Sequence, residues 1–543
     1  MRTEFDYVVV GAGSAGCALA ARLTEDPAVS VALLEAGGRD RDPAIHIPAG
    51  IVNLIGNPKV DWAHLAEPDA SRGGKVDLWP AGKVLGGSSS INGMLFVRGA
   101  RADYDGWAAK GNPGWGFDEL LPLFRRMESS PIGGQWRGGL GPLHVGPLRS
   151  VHPLAEAFTQ ACVSAGLPFN PDYNGETQEG VSPPQVTQRN GARWSVARAY
   201  LGMAAGRQNL QVITGFEAER LILEGRRVLG VFGRRDGAAA EVRARREVIL
   251  SAGSMASPKL LMLSGIGPAD ELRRHGIEVL LDLPVGKNLA EHPNANLSWD
   301  VRVRTYNMEK TPLRMALALA RWVLTRRGPA TSPYPHAVSF FRSSEAAEHP
   351  DIQLMFGPFA FSFSPEGIVP YTGPAVTIVA ALNYPKGRGE LRLRSANPAD
   401  KPVIDHQLLA HPDDVARLTA ACKKVREIFA QPALASEIVR ERLPGPECNT
   451  DDAWDAHLRA TTFLGYHPVG TCIMGPDGVV DEHLRVRGLD GLRVADASIM
   501  PSPISGNTNA AAIMIGEKAA ELIRAGGPSC RRRQFWPPEA FCI

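Results

Sequence analysis

The apolar pattern at the amino-terminal end changes period twice within about thirty residues. Asp6 to Val10 is a short run rich in β-branched residues, the composition of a strand buried on both faces of a parallel sheet. Cys17 to Leu23 is rich in alanine and leucine and predicts a helix, and Val29 to Leu34 predicts a second strand that closes on Glu35. Together they make a βαβ unit. Residues 37 to 150 hold few long periodic segments and many Gly, Pro and Trp, so this stretch is expected to wrap a ligand or carry function. Strand patterns return at Asn209 to Thr214, Ala218 to Leu223, Val228 to Val231 and Glu247 to Leu250. Pro258 to Leu263 predicts a helix that opens at the proline and stops at Ser264 and Gly265. Further on, Ala375 to Leu382 and Glu390 to Arg394 read as strands and Asp413 to Phe429 as a helix. The chain returns to a strand at Leu492 to Ala495 and a helix at Ala510 to Arg524, and no internal repeat of fixed period is seen.

Composition narrows the class. Hydrophobic residues make up 44% and charged residues 21%, the balance of a soluble globular protein, whereas the 57 glycines point to many tight turns or close backbone approaches. A net charge of +2 argues against a polyanion surface, so no nucleic-acid partner is expected. The basic cluster Arg531, Arg532 and Arg533, followed by Phe535 and Trp536, reads as a solvated tail. Seven scattered cysteines with no C-x-x-C pair fit a reducing compartment. The best candidate for a membrane span, Leu313 to Leu324, contains Arg314 and Arg321 and reads as an amphipathic helix. No integral membrane segment or secretory signal is expected, which places the protein in the cytoplasm or at the periphery of the inner membrane.

Gly11-Ala12-Gly13-Ser14-Ala15-Gly16 follows the first strand and opens the first helix. In that context Gly11 allows the tight turn, Gly13 lets backbone reach a pyrophosphate, and Gly16 lets helix and strand pack closely. The helix terminus offers its amides to phosphate. Glu35, with Ala36 beside it, lies 24 residues after Gly11 and is placed to accept hydrogen bonds from a ribose, disfavouring a 2'-phosphate. Spacing alone does not separate NAD from FAD. A second block from Gly82 to Leu95 contains three consecutive serines and several glycines, suited to lying along a cofactor. No H-E-x-x-H, His/Cys ligand cluster or G-x-S-x-G elbow is present, so no metal site and no nucleophile elbow are expected.

These motifs carry a resemblance. The block Gly82 to Asn92, the run Gly253 to Gly267 and the segment Tyr466 to Gly475 resemble signatures of the glucose-methanol-choline (GMC) oxidoreductase family. The resemblance implies FAD and an α/β chain with mixed α+β character. An FAD-binding, Rossmann-like domain would interleave with a substrate domain whose mixed or antiparallel sheet is backed by helices. The expected division assigns 1–150, 205–291 and 485–526 to FAD, 151–204 and 292–484 to substrate, and 527–543 to a tail. Asn92, Gly93, Met94 and Leu95 would lie along the flavin and Val84 near its ring. Ala218 would touch the adenine, while Asp496 and Ala497 would bind near the pyrophosphate or ribityl chain. Ile91 stands where some relatives carry a histidine bonded to the flavin, so FAD is expected to be non-covalent.

By the same resemblance His467 is the catalytic histidine, and imidazole, with an ordinary pKa near 6.5, suits removal of an alcohol proton. Counting nine positions back from Gly516, before Glu517, gives Asn507 as its partner, with Asn509 as the competing choice, expected to bond backbone near the flavin. Glu291 and His292 are expected to be structural. The implied reaction oxidises a primary or secondary alcohol to an aldehyde or ketone, with hydride passing to flavin N5. Expected partners are a small alcohol of choline, aliphatic or sorbose-like type and an electron acceptor, either a quinone, a dye-like carrier or oxygen. A dehydrogenase is favoured over an oxygen-using oxidase, and a flavin-dependent lyase or fatty-acid photodecarboxylase is the rival on the same scaffold. Tyr334, Phe359, Phe361 and Phe363 offer either an aromatic pocket or one buried strand face.

Overall fold

The computed structural model describes residues 3–364 and 367–526. The tail and its arginine cluster lie outside the described residues, as does the side chain of Phe363. Two seven-stranded sheets organise the chain.

In the first, Leu210–Thr214, Val31–Glu35, Glu4–Val10 and Ala238–Leu250 run parallel in that order. Val8, Val9, Val31, Ala32 and Leu33 are fully buried, which explains an unbroken apolar run instead of alternation. Ala238–Leu250 is divided along its other edge. Its first half pairs antiparallel with Arg227–Arg235, which continues to Phe216–Glu224, and its last three residues pair parallel with Leu492–Val494. One long strand thereby carries both a meander and the strand that leads to the carboxyl-terminal helix.

The helix Ser14–Leu23 lies against Asn509–Ala525, joining the two ends of the sequence. A Cβ on Gly516 would come within 2.3 Å of the Ala15 carbonyl oxygen, so this approach requires glycine. Glu517, fully buried, accepts hydrogen bonds from Arg22, Arg126 and Tyr200 and holds the contact in register.

The second sheet has the order Ile438–Leu443, Pro293–Val301, Ala375–Leu382, Ile352–Gly357, Ala337–Phe341 and Gly180–Ser182, antiparallel throughout, with Phe463–Leu464 beside Pro293 and Asn294. Ala295, Leu297, Trp299, Leu354, Phe356 and Ile378 pack with residues of the helices Pro153–Ser164, Pro412–Phe429 and Asp451–Thr461. Trp299 stacks on Phe429 at 3.8 Å between ring centroids and Phe158 on Phe356 at 4.7 Å. The alternate residues face the other way, where Asn294, Met355 and Val379 line the cavity while Val338, Phe340 and Ala381 pack in a smaller apolar cluster, and this period of two puts the site on one sheet face.

The run expected to open a helix at Pro258 instead lies inside one that begins five residues earlier, Gly253–Leu263. Proline has no N–H to donate to the carbonyl four residues back. That carbonyl, of Ser254, accepts from the Thr471 hydroxyl at 2.8 Å, so a residue distant in sequence repairs the gap. Besides shorter helical turns, the loop-rich stretch likewise contains two helices of two turns or more, Arg101–Ala109 and Phe117–Met127, packed through Tyr104, Leu120 and Phe124. Among the described residues no helix is long and apolar enough to cross a membrane.

Candidate active site

A cavity of about 1380 Å³ runs through the molecule, larger than the roughly 300–1,000 Å³ typical of drug-sized ligand sites. Gly11, Gly13, Ser14, Ala15, Glu35 and Ala36 line it, as do Asn92, Gly93, Met94, Leu95, Ala218, Asp496 and Ala497. His467 and Asn507 line the same cavity. Three predicted positions do not: Ala12, Gly16 and Val84.

Their surroundings give each a different task. Gly16 packs so closely that a Cβ would lie 2.0 Å from the Gly11 carbonyl oxygen. Ala12 donates its N–H to Glu35 Oε2 at 3.0 Å. Val84 is buried with Ile45, Leu54, Val60 and Ile91. Gly11 has φ +102° and no room for a side chain, because a Cβ would meet the Ser251 carbonyl oxygen at 2.5 Å.

Gly13 precedes the helix Ser14–Leu23 with no side-chain cap, so the first-turn N–H groups are available to an anion in the cavity. The second glycine block meets the first here, and a Cβ on Gly87 would lie 2.7 Å from the Gly13 Cα. Glu35 accepts from the Ala12 and Gly37 N–H groups, one on each oxygen, and burial pushes its carboxyl up to about 7. A carboxylate has about four acceptor sites, so capacity remains for ribose hydroxyls. Asp496 accepts from Gly253 N, Ser257 Oγ and Ser498 N and fixes the turn that presents Ala497. Asn92 Oδ1 accepts from Met94 N and from buried Arg193, which leaves its Nδ2 for the cavity. Cavity size, glycine-lined backbone, uncapped helix terminus and buried acid together fit an adenine dinucleotide.

His467 and Asn507 meet directly, with Asn507 Nδ2 3.0 Å from His467 Nε2. Gln353 Nε2 donates to Asn507 Oδ1 at 3.1 Å, which turns the amide so that its Nδ2 faces the histidine. An amide nitrogen only donates, so His467 Nε2 is an acceptor and the neutral ring carries its hydrogen on Nδ1. That hydrogen is donated to His292 Nδ1, 3.0 Å away. The network therefore assigns both tautomers and leaves the Nε2 lone pair turned towards Asn507. Burial and the neighbouring His292 hold the His467 pKa well below 6.5, and burial lowers His292 to about 4, so both rings are neutral near pH 7.

Glu291 lies beneath this pair. Its carboxyl accepts the main-chain N–H of His292 at 2.8 Å and of His467 at 2.8 and 3.0 Å. Burial pushes it up to about 8 against the pull of those donors.

The antiparallel sheet aligns the remaining polar groups. Across three strands Asn294, Ala381 and Gln353 stand in register on the cavity face, followed by Asn296, Val379 and Met355. Gln353 carries no motif in sequence, and only strand register brings it to Asn507. Glu291 and His292, expected to be structural, contact the His467 ring or backbone directly. Their signal was adjacency to the strand Pro293–Val301, which carries no chemical meaning until that strand is placed.

Asn509 does not bond backbone as expected. Its Oδ1 accepts the Ser14 hydroxyl at 2.6 Å, tying the first helix to the last. Tyr334, Phe359 and Phe361 border the cavity, so these aromatics form a wall of it. Among the described residues His411, Asp413 and Asp414 bring possible ligand atoms within 4.8 Å of one another. They cap Pro412–Phe429 and pair with Lys386 and Arg417.

Comparison with known proteins agrees with this architecture. Two GMC oxidoreductase family profiles match residues 5–294 and 385–516. The chain is 42% identical over 545 residues to an oxygen-dependent choline dehydrogenase of Brucella canis, covering 98% of this chain and 97% of the relative. It is 42% identical over 534 residues to an alcohol dehydrogenase (acceptor) of Pseudomonas putida, covering 96% and 95%. Pyridoxine 4-oxidase from Mesorbium loti superposes with a TM-score of 0.87 at 35% identity, covering 96% of this chain and 100% of that one. With profiles matching both halves of the sequence and relatives matching nearly its whole length, the chain belongs to the GMC oxidoreductase family, FAD-binding enzymes that act on CH–OH donors.

Proposed function

We propose that the protein oxidises an uncharged primary or secondary alcohol to the aldehyde or ketone, with His467 as base and Asn507 as the group that holds the substrate oxygen. The observation that carries this reading is the 3.0 Å pairing of a neutral His467 Nε2 with an amide donor inside the cavity. A substrate hydroxyl entering between them donates its proton to Nε2 and accepts the Asn507 N–H, replacing one hydrogen bond with two. Gln353 keeps the amide in that orientation, and the His292 ring keeps the other imidazole hydrogen away from the substrate. Proton removal raises electron density on oxygen and weakens the adjacent C–H bond. The chemistry that bound FAD supplies is acceptance of the hydride from that carbon. Gly11, Gly13, Ser14 and Ala15 would hold its pyrophosphate, Glu35 a ribose, and Asn92 to Leu95 the ring system. Retention of both the base and the amide favours alcohol oxidation over the non-redox alternatives.

Choline is disfavoured by charge. A quaternary ammonium calls for an aromatic cage and a nearby carboxylate. The cavity has aromatics, but each acid lining it among the described residues is engaged. Glu35 and Asp496 serve the turns above, Asp61 accepts from three main-chain N–H groups, Glu217 faces Lys83 and Glu309 pairs with Arg304. Asn294, the polar residue in register with Gln353, is neutral. A relative named alcohol dehydrogenase (acceptor) supports an alcohol substrate and a carrier as acceptor, although the equally similar Brucella canis relative is named oxygen-dependent.

The same reading assigns 1–150, 205–291 and 485–526 to the cofactor and 151–204 and 292–484 to substrate. Its support is that strands from the first set build the parallel sheet and strands from the second build the antiparallel one. The test is anaerobic bleaching of the flavin across an alcohol panel. Aliphatic alcohols are expected to bleach it and choline to act poorly. Rapid bleaching by choline alone overturns the substrate assignment, and in a parallel assay with oxygen present, peroxide formed in proportion to turnover overturns the acceptor assignment.

A further inference from the structure

The helix Pro312–Thr325 reverses the pattern of a surface helix. It is anchored by Trp322, which is buried and donates its indole N–H to the Gly191 carbonyl at 2.7 Å. With 3.6 residues per turn, Leu313, Leu317, Ala320 and Leu324 form a stripe on the side opposite Trp322. That stripe faces outward: Leu313, Leu317 and Leu324 are 70%, 60% and 82% exposed. Val323 is exposed beside it, so the solvent side of the helix is apolar where polar residues are usual.

Two further observations say what covers it. Between Lys310 and Arg327 the chain carries five cations, Lys310, Arg314, Arg321, Arg326 and Arg327, and no acid, although the whole protein carries only +2. Arg314 and Arg321 lie along one side of the apolar stripe; Arg321 is exposed and can reach a headgroup layer while its stem stays on apolar ground, whereas one Nη of Arg314 is buried. The helix also forms part of the cavity rim, since Met315, Ala316, Ala318 and Leu319 line the cavity, as does the exposed Val52 of the neighbouring short helix Pro48–Asn53. An opening rimmed by apolar residues gives a lipid-soluble molecule a path that avoids water.

We propose that Pro312–Thr325 docks on an anionic lipid bilayer and seats the cavity mouth against it. Lys310 is bonded to the Pro370 and Tyr371 carbonyls and Arg326 stacks on Trp322. A two-fold pairing of copies through this helix would still set its own arginines, Arg314 and Arg321, against their copies with no acid of the helix to offset them, whereas anionic headgroups complement the charge and acyl chains complement the stripe. The helix is too short and too basic to span, and it lies in the interface plane.

Flotation of the holoenzyme with vesicles tests this without any turnover, so its failure is distinct from failure of the reaction assignment. Binding is expected to phosphatidylcholine vesicles containing phosphatidylglycerol, to weaken with salt, and to be absent with phosphatidylcholine alone. The double variant Leu317→Glu/Leu324→Glu changes residues outside the cavity lining. It is expected to bind vesicles about tenfold more weakly or worse. Flavin bleaching by a short water-soluble alcohol should be unchanged in that variant, showing an intact fold. Arg314→Gln/Arg321→Gln should weaken the preference for anionic lipid. A wild-type enzyme that stays free of both vesicle types overturns the proposal. So does equal binding by wild type and the leucine variant, or a dimer that the leucine variant converts to monomer.

Discussion

The parallel sheet and the antiparallel sheet contribute to one cavity by opposite means. Around the parallel sheet the site is made largely of backbone. Glycines bring main chain close, a helix offers uncapped N–H groups, and the acids Glu35 and Asp496 hold turns in place. On the antiparallel sheet the site is made of side chains. Asn294 and Gln353 project from one face, and Gln353 orients Asn507, which meets His467. Backbone sites tolerate no added atoms but ask little of side-chain chemistry. Side-chain sites can lose a polar atom without collapse and lose function instead. Substitutions in the two regions should therefore fail differently.

The largest separation is expected from His467→Ala. Without the base, flavin reduction by alcohol should fall about 10²–10⁴-fold while the flavin remains bound and yellow. Stopped-flow absorbance reads both, and loss of flavin in parallel with rate would erase the distinction. Gly11→Ala is its counterpart. A Cβ 2.5 Å from the Ser251 carbonyl oxygen, at φ +102°, should cost about 1–3 kcal/mol through overpacking and strain. The result should be protein with little FAD, measured by the ratio of flavin to protein absorbance, with the loss in occupancy and not in rate per bound flavin.

Gln353→Ala sharpens the comparison further. Removing one hydrogen bond, of roughly 1 kcal/mol, frees the Asn507 amide to turn, so reduction should slow about five- to tenfold with FAD content unchanged. An unchanged rate would show that the amide is oriented by something else.

The smallest effect concerns pH. Glu291 is raised to about 8, so it is neutral below that pH and anionic above it. With His467 as the proposed base, an anion there would stabilise the imidazolium formed as it takes the substrate proton. Reduction should therefore rise through pH 8 by about two- to threefold, an energy of roughly 0.5 kcal/mol. Glu291→Gln should abolish that rise. Because His467 is held well below 6.5, no inflection from its own protonation is expected near neutrality.

The sequence by itself determined the parts whose physics is local. The turn Gly11–Gly16, the strand before it, the helix after it and Glu35 were legible because the close backbone approaches at Gly11 and Gly16 need glycines at fixed spacing within one short segment. His467 and Asn507 were legible only through family resemblance, since a histidine and an asparagine forty residues apart carry no local pattern. Strand register alone set Gln353 against Asn507, and the junction at Pro293 alone set Glu291 and His292 beneath His467. The helix Gly253–Leu263 could continue through Pro258 only because Thr471 reaches the orphaned carbonyl. These contacts join residues tens to hundreds of positions apart, so they exist only once burial of both sheets has chosen which faces meet.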